Sequence, residues 1–194
     1  MDHEQHTSHR RRPAAQRVLR AAAESFYAEG IHAVGVDTLA ARAGVAKMSL
    51  YNNFGSKNDL VAAYLRTRDE RWREWLHAEV ERRAHTAKDR ILAFFDASRD
   101  WMREESPRGC AFINALAEIP DTSHPARQAV ADQKHWTYAY LVRLAREAGA
   151  NDPDDVAGQL FVLAQGAAVT SVIGIVDNPW RHARTSAATV IRDL

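Results

Sequence analysis

Apolar positions recur at three- and four-residue spacing along almost the whole chain, and no stretch keeps the alternation of a half-buried strand. After Pro13, the residues Val18, Ala22 and Phe26, with Leu19 and Ala23 beside them, form one face of a first amphipathic helix ending at Gly30. Two short helices are expected over 37–43 and 47–54, separated by Gly44. Ser56 is a suitable N-cap for a fourth helix, whose stripe is Val61, Leu65, the stem of Arg68, Trp72, Trp75 or Leu76, and Val80. A helix over 87–104 carries Ile91, Phe94, Phe95, Ser98, Trp101 and Met102 on one side, and Pro107-Arg108-Gly109 breaks it. A short apolar helix over 110–119 runs up to Pro120.

The second half of the chain continues the same period. Ser123 and Pro125 start a long helix that Gly149 ends, with Ala126, Val130, Gln133, Trp136 or Thr137, Tyr140, Leu144 and Ala148 as its buried stripe. Asp152 caps the next, where Pro153 at the first position and Asp154 and Asp155 in the first turn suit the helix dipole. Asn178-Pro179 is read as its end, and a last helix spans 184–192. The fold class is therefore all-α, about nine helices without a sheet or a solenoid repeat.

Composition narrows this picture. The 194 residues are 46% hydrophobic and 26% charged, enough for a core under a solvated surface. The apolar stretch Leu160–Val169 is interrupted by Gln165 and falls short of the ~20 residues of a spanning helix, so no membrane partner is expected. The His- and Arg-rich start has no apolar segment behind it, which is unlike a secretory signal, and the expected compartment is the cytoplasm. The single cysteine, Cys110, excludes an intramolecular disulfide or a multi-cysteine zinc site; it reads as a small buried side chain, with a redox sensor as the alternative. Charge is uneven: eight basic residues face three acidic ones between His9 and Lys57, while the whole chain is only +1. Such a local cation excess is the footprint of a phosphate-binding module.

That module has a visible centre. In Val36-Asp37-Thr38-Leu39-Ala40-Ala41-Arg42-Ala43-Gly44-Val45-Ala46-Lys47-Met48-Ser49-Leu50-Tyr51-Asn52-Asn53-Phe54, two short helices meet at a sharp turn. Leu39 and Ala40 are placed to face Val45 and Leu50, Ala40 is small where the helices cross, and Gly44 can take the left-handed conformation. The second helix then turns outward Lys47, Met48, Ser49, Asn52 and Asn53, with Tyr51 at the edge, a short polar face of the kind the major groove accepts.

This run, from Gly30 to Leu65 and preceded by "FYAEG", strongly resembles the TetR family of transcriptional regulators. Gly30, Leu39-Ala40, Gly44-Val45, Leu50-Tyr51, Phe54, Lys57 and Leu60 stand where that family's signature has them, and the likeness covers roughly residues 14–65. Ala46, where a capping Ser or Thr is usual, and Met48, where a small residue is common, depart from it. The resemblance implies three parts: a flexible basic tail over 1–12, a helix-turn-helix DNA-binding domain over 13–58, and a ligand-binding and dimerisation domain over 59–194. Tyr51, Lys57 and Thr38 are expected to hold phosphates; Lys47, Ser49, Asn52 and Asn53 to read base edges; and Met48 to pack on a thymine methyl.

In 59–194 no glycine-rich phosphate loop, paired metal histidines or nucleophile elbow occurs, so no catalytic residue, cofactor or metal is expected, and the protein is not read as an enzyme. Glu118 and His124 about Pro120 are too few for a metal site. Aromatic residues interleaved with polar ones suggest an apolar cavity with placed hydrogen-bonding groups. Phe95, Ser98, Trp101, Asn114, Trp136, Tyr140 and Gln165 are the expected ligand-binding residues, and the family implies an inducer there. The helix from Pro153 is apolar nearly all round, so Leu160, Ala164, Ala167, Ala168 and Val172, with Val190 and Ile191 of the last helix, are the expected homodimer interface. The partners implied are double-stranded operator DNA, a small-molecule effector and a second copy. The leading function is sequence-specific transcriptional regulation, by repression rather than activation, with an apolar or amphipathic ligand biasing the spacing of two DNA-binding heads away from the groove's period of about 34–36 Å. A non-specific DNA binder and a helical enzyme or carrier are the alternatives.

Overall fold

A computed structural model describes residues 13–192 and residue 194, so the expected basic tail over 1–12 lies outside the described residues. Among the described residues there are nine helices and no strand: α1 Pro13–Glu29, α2 Val36–Ala43, α3 Lys47–Phe54, α4 Lys57–Arg83, α5 Ala87–Glu105, α6 Ala111–Glu118, α7 Pro125–Glu147, α8 Pro153–Ile173 and α9 Pro179–Val190. The chain forms two compact units, divided between Tyr64 and Leu65.

In the first unit the buried face of α1 is Val18, Ala22 and Phe26, joined by Leu39 and Ala40 from α2 and Leu50 from α3. Gly44 ends α2 at φ +61, a left-handed conformation that costs other residues about 1 kcal/mol or more. Two hydrogen bonds close the turn, Gly44 N–H to the Ala41 carbonyl at 3.1 Å and Val45 N–H to the Ala40 carbonyl at 3.0 Å. Side chains tie α2 to α1. Arg17 donates to the Ala43 carbonyl, and Arg42 bonds both the buried Ser25 hydroxyl, at 2.7 Å, and the Glu29 carboxylate.

In the second unit α5, α7, α8 and α9 pack on one another, with α6 against α7. The core includes Leu76, Val80, Ile91, Phe94, Phe95, Leu141, Leu144, Leu160 and Ala187. Charged pairs lace its surface, among them Arg83 with Asp100 at 2.9 Å and Arg184 of α9 with Asp96 of α5 at 2.9 Å.

Three expectations need correction. The long helix α7 is capped by His124, whose Nδ1 accepts from Ala126 N–H at 3.1 Å, while Ser123 bonds the Asp121 carboxylate. Helix α8 stops at Gly174 (φ +75), and Asn178-Pro179 starts α9 instead of ending α8: proline at the first helical position serves as an initiator, its missing N–H being one the helix leaves unbonded anyway. Finally, α8 has 21 residues with a mean hydropathy of 1.6 over its most apolar window, long and apolar enough by composition to cross a membrane despite Gln165. Only 28% of that window is buried within the chain. Val156, Ala157, Leu160, Ala164, Ala167 and Ala168 face the core, and the opposite side stays apolar and open.

Candidate nucleic-acid interface and ligand cavity

The turn at Gly44 leaves Leu50 as the one fully buried residue of α3, with Ser49, Asn53 and Phe54 half-buried and the rest of the helix facing outward. Lys47, Met48, Tyr51 and Asn52 share that face at helical spacing and are exposed, Met48 by 66% and Tyr51 by 37%. Ser49 and Asn53 are half-buried, and the Asn53 amide donates to the Ser49 carbonyl at 2.6 Å, bonding back to its own helix. Lys47 Nζ lies 2.9 Å from Asp37, whose hydrogen bond and charge hold the ammonium above the usual lysine value. Thr38 is exposed in the first turn of α2. Lys57 starts α4, its ammonium 5.9 Å from the centre of the Phe26 ring. Ala46, at the N-cap of α3, makes no side-chain cap. Of the expected readers, then, Lys47, Met48 and Asn52 share an open face with Tyr51, whereas Ser49 and Asn53 flank it.

In the second unit a cavity of about 70 Å³ lies among α4, α5, α6, α7, α8 and α9. Its aromatic wall is Trp72, Phe94, Trp101, Phe112 and Trp180; Trp72 and Trp101 meet edge to face at 5.3 Å. Its polar groups are Arg68, Ser98, Gln133, Lys134, Thr137 and Gln165, with Cys110 beside them. Gln133 Nε2 donates to the Thr137 hydroxyl at 3.0 Å, and that hydroxyl donates to the Gln133 carbonyl. Lys134 Nζ reaches Gln165 Oε1 at 2.8 Å and Cys110 Sγ at 3.6 Å. Gly109, at φ +92 beside the wall, has the Val172 methyl where a Cβ would come to 2.9 Å.

Of the residues expected to bind a ligand, Ser98, Trp101 and Gln165 line this cavity, and Phe95, Asn114, Trp136 and Tyr140 do not. Phe95 is buried in the core against Phe94, one residue and ~100° of helix from the lining face. Trp136 stacks on Tyr140 at 5.3 Å, and Asn114 is exposed, donating to the Arg108 carbonyl at 3.0 Å. Lys134, Trp72, Trp180 and Phe94 are lining residues the sequence reading left out. The α5 period 94, 98, 101 marks Phe94, whereas Trp180 carries no local mark, because only the start of α9 at Pro179 brings it to the wall.

Among the expected interface residues, Leu160, Ala164, Ala167, Ala168 and Ile191 are buried within their own unit, Ala164 and Ala168 lining the cavity. Val190 is half-buried and Val172 is 50% exposed. The open face of α8 is instead Val162, Gly166, Val169 and Ile173, continued by Ile175 and Val176. An all-apolar helix carries no local mark of which of its faces looks inward.

A family model described as bacterial regulatory proteins of the tetR family matches residues 18–64, and one described as the tetracyclin repressor-like C-terminal domain matches residues 87–187. The chain belongs to the TetR family. The second match places the cavity lining from Phe94 to Trp180 inside the TetR C-terminal domain. A TetR-family transcriptional regulator of Streptomyces coelicolor, known as a crystal structure, is 32% identical with a TM-score of 0.84, covering 93% of this chain and 95% of that one. The HTH-type transcriptional regulator YjdC of Escherichia coli is 29% identical over 103 residues, 53% of this chain. The HTH-type transcriptional activator FasR of Mycolicibacterium smegmatis is 37% identical over 92 residues, 46% of this chain. The match spans about half the length of these curated relatives, 52% of YjdC and 40% of FasR.

Proposed function

We propose that this TetR-family protein is a sequence-specific, dimeric DNA-binding regulator whose grip on a palindromic operator is relieved by a small ligand held in the C-terminal cavity. The observation that carries this reading is the outward face of α3, where Lys47, Met48, Tyr51 and Asn52 stand exposed on a short helix set by the Gly44 turn. A helix of that size with polar and methyl-bearing side chains is matched to the major groove, where amides read adenine and apolar groups meet thymine. Thr38 and Lys57, in the first turns of the two flanking helices, supply phosphate contacts, since helix N-termini and cations both attract the backbone.

One such helix reads only a few base pairs, so useful affinity needs two half-sites read together by a two-fold pair. The apolar stripe left open on α8, through Val162, Val169 and Ile173, supports a second copy as the partner, with Val190 of α9 beside it. Repression is the favoured sign of regulation, because a ligand that favours a conformation with lower operator affinity then switches transcription on.

The test is selection of bound fragments from genomic DNA with the full-length protein, followed by competition of the selected fragment against bulk DNA. A palindromic sequence retained at least about a thousandfold better than bulk DNA is the expected result. Equal retention of both would replace specific regulation by general DNA binding.

A further inference from the structure

The cavity holds a charge that its own walls do not neutralise. Lys134 is half-buried, and its hydrogen bonds go to the neutral acceptors Gln165 Oε1 and Cys110 Sγ. A second cation, Arg68, donates to the Glu105 carbonyl and the Ser106 hydroxyl at the same wall. Among the described residues no aspartate or glutamate lines the cavity. Asp69 attracts Lys134, but its carboxylate is ion-paired with Arg73 and is not part of the wall. Placing a cation in an apolar, partly closed space against neutral groups is costly. An incoming anion removes that cost.

Four further polar atoms of lining residues have no hydrogen-bond partner in the protein: Ser98 Oγ, Gln133 Oε1, Trp72 Nε1 and Trp180 Nε1. Their residues are 3%, 6%, 8% and 7% exposed, in that order. Three of the four can donate, as an ammonium does, and a carboxylate only accepts. The rest of the wall is aromatic, and the volume of about 70 Å³ is about half the ~150 Å³ of a cavity that takes a benzene ring, so a single ring enters only as the partly open wall gives way.

We propose that the cavity is a receptor site for a small aromatic monoanion, its carboxylate held by Lys134 and its ring packed among Trp72, Phe94, Trp101 and Trp180. This rests on the reading of the cavity as the ligand site and adds the chemical class of the ligand. A cationic ligand is disfavoured by the same two cations. An uncharged one leaves Lys134 without a charged partner inside the cavity.

The probes are benzoate, its uncharged isostere benzamide and the cation benzylamine, titrated into the full-length protein and followed by tryptophan fluorescence and calorimetry. Benzoate is expected to bind at least about tenfold tighter than benzamide, the span of a charged hydrogen bond over a neutral one. Lys134→Met, which keeps the aliphatic stem, is expected to erase that preference by bringing benzoate down to the affinity of benzamide, and Lys134→Arg to retain it. The comparison of benzoate with benzamide in the unmodified protein stands even where a variant folds poorly. Benzamide or benzylamine binding as tightly as benzoate would overturn the anion assignment while supporting a ligand cavity. A preference that survives Lys134→Met would overturn the role of Lys134. Binding of none of the three would overturn the proposal, and the regulator reading would fall only if the protein also failed to discriminate its operator.

Discussion

Lys57 sits in the first turn of α4, where its charge adds to the helix N-terminus, so the contact with DNA proposed for it is electrostatic and independent of base sequence. Lys57→Ala is expected to weaken binding to operator and bulk DNA alike and to lower the slope of log affinity against log salt by ~1. Filter binding across a salt series measures it, and an unchanged slope would remove the phosphate role. Tyr140 is the residue whose ionisation reports on the core. Burial pushes its phenol up to about 12, with Arg143 beside the ring drawing it back only in part. The folded value lies above the unfolded ~10, so between these the unfolded chain releases a proton that the folded chain keeps. Stability is complete below about pH 10 and falls as pH rises through that window. Urea denaturation from pH 9 to pH 11.5 in Tyr140→Phe is expected to lose this part of the alkaline decline.

At the scale of elements, α3 is the weakest link because a single fully buried side chain, Leu50, anchors it and its N-cap, Ala46, leaves the first amides without a side-chain acceptor. Ala46→Ser is expected to stabilise the protein by about 0.5–1 kcal/mol, read as a higher urea midpoint with an unchanged m-value. No gain would mean that the first amides of α3 are already served by other acceptors. The existence, order and approximate ends of α1 to α7 were legible from apolar spacing, because each buries one stripe and exposes another. The Asn178-Pro179 boundary was not, since proline both ends and begins helices and only its neighbours in space decide which. Within the cavity, Ser98, Trp101 and Gln165 were legible as polar or aromatic interruptions of a stripe, whereas Phe95 and Trp136 lie one helical step away from the lining face.

At the scale of the molecule, the open stripe of α8 sets the expected assembly. Val162 is 69% exposed and Val169 43%, so a carboxylate at either is tolerated by the protomer but not by an apolar contact with a second copy. Val169→Asp is expected to convert a dimer to a monomer in sedimentation and to weaken binding to a palindrome far more than to a half-site. A dimer that persists in both Val162→Asp and Val169→Asp would place the interface elsewhere.

The chain's own order of residues determined the local facts: helices where apolar positions repeat, a left-handed turn where Gly44 permits it, a family signature from Gly30 to Leu65, and cations gathered near one end. These follow from interactions between residues close in sequence. Which face of α8 looks inward, that Asn53 bonds back to its helix, and that Lys134 comes within 2.8 Å of Gln165 across 31 positions were decided only in three dimensions. Burial and pairing depend on neighbours brought together by packing, and an all-apolar helix or a lone lysine carries no local mark of what it will meet.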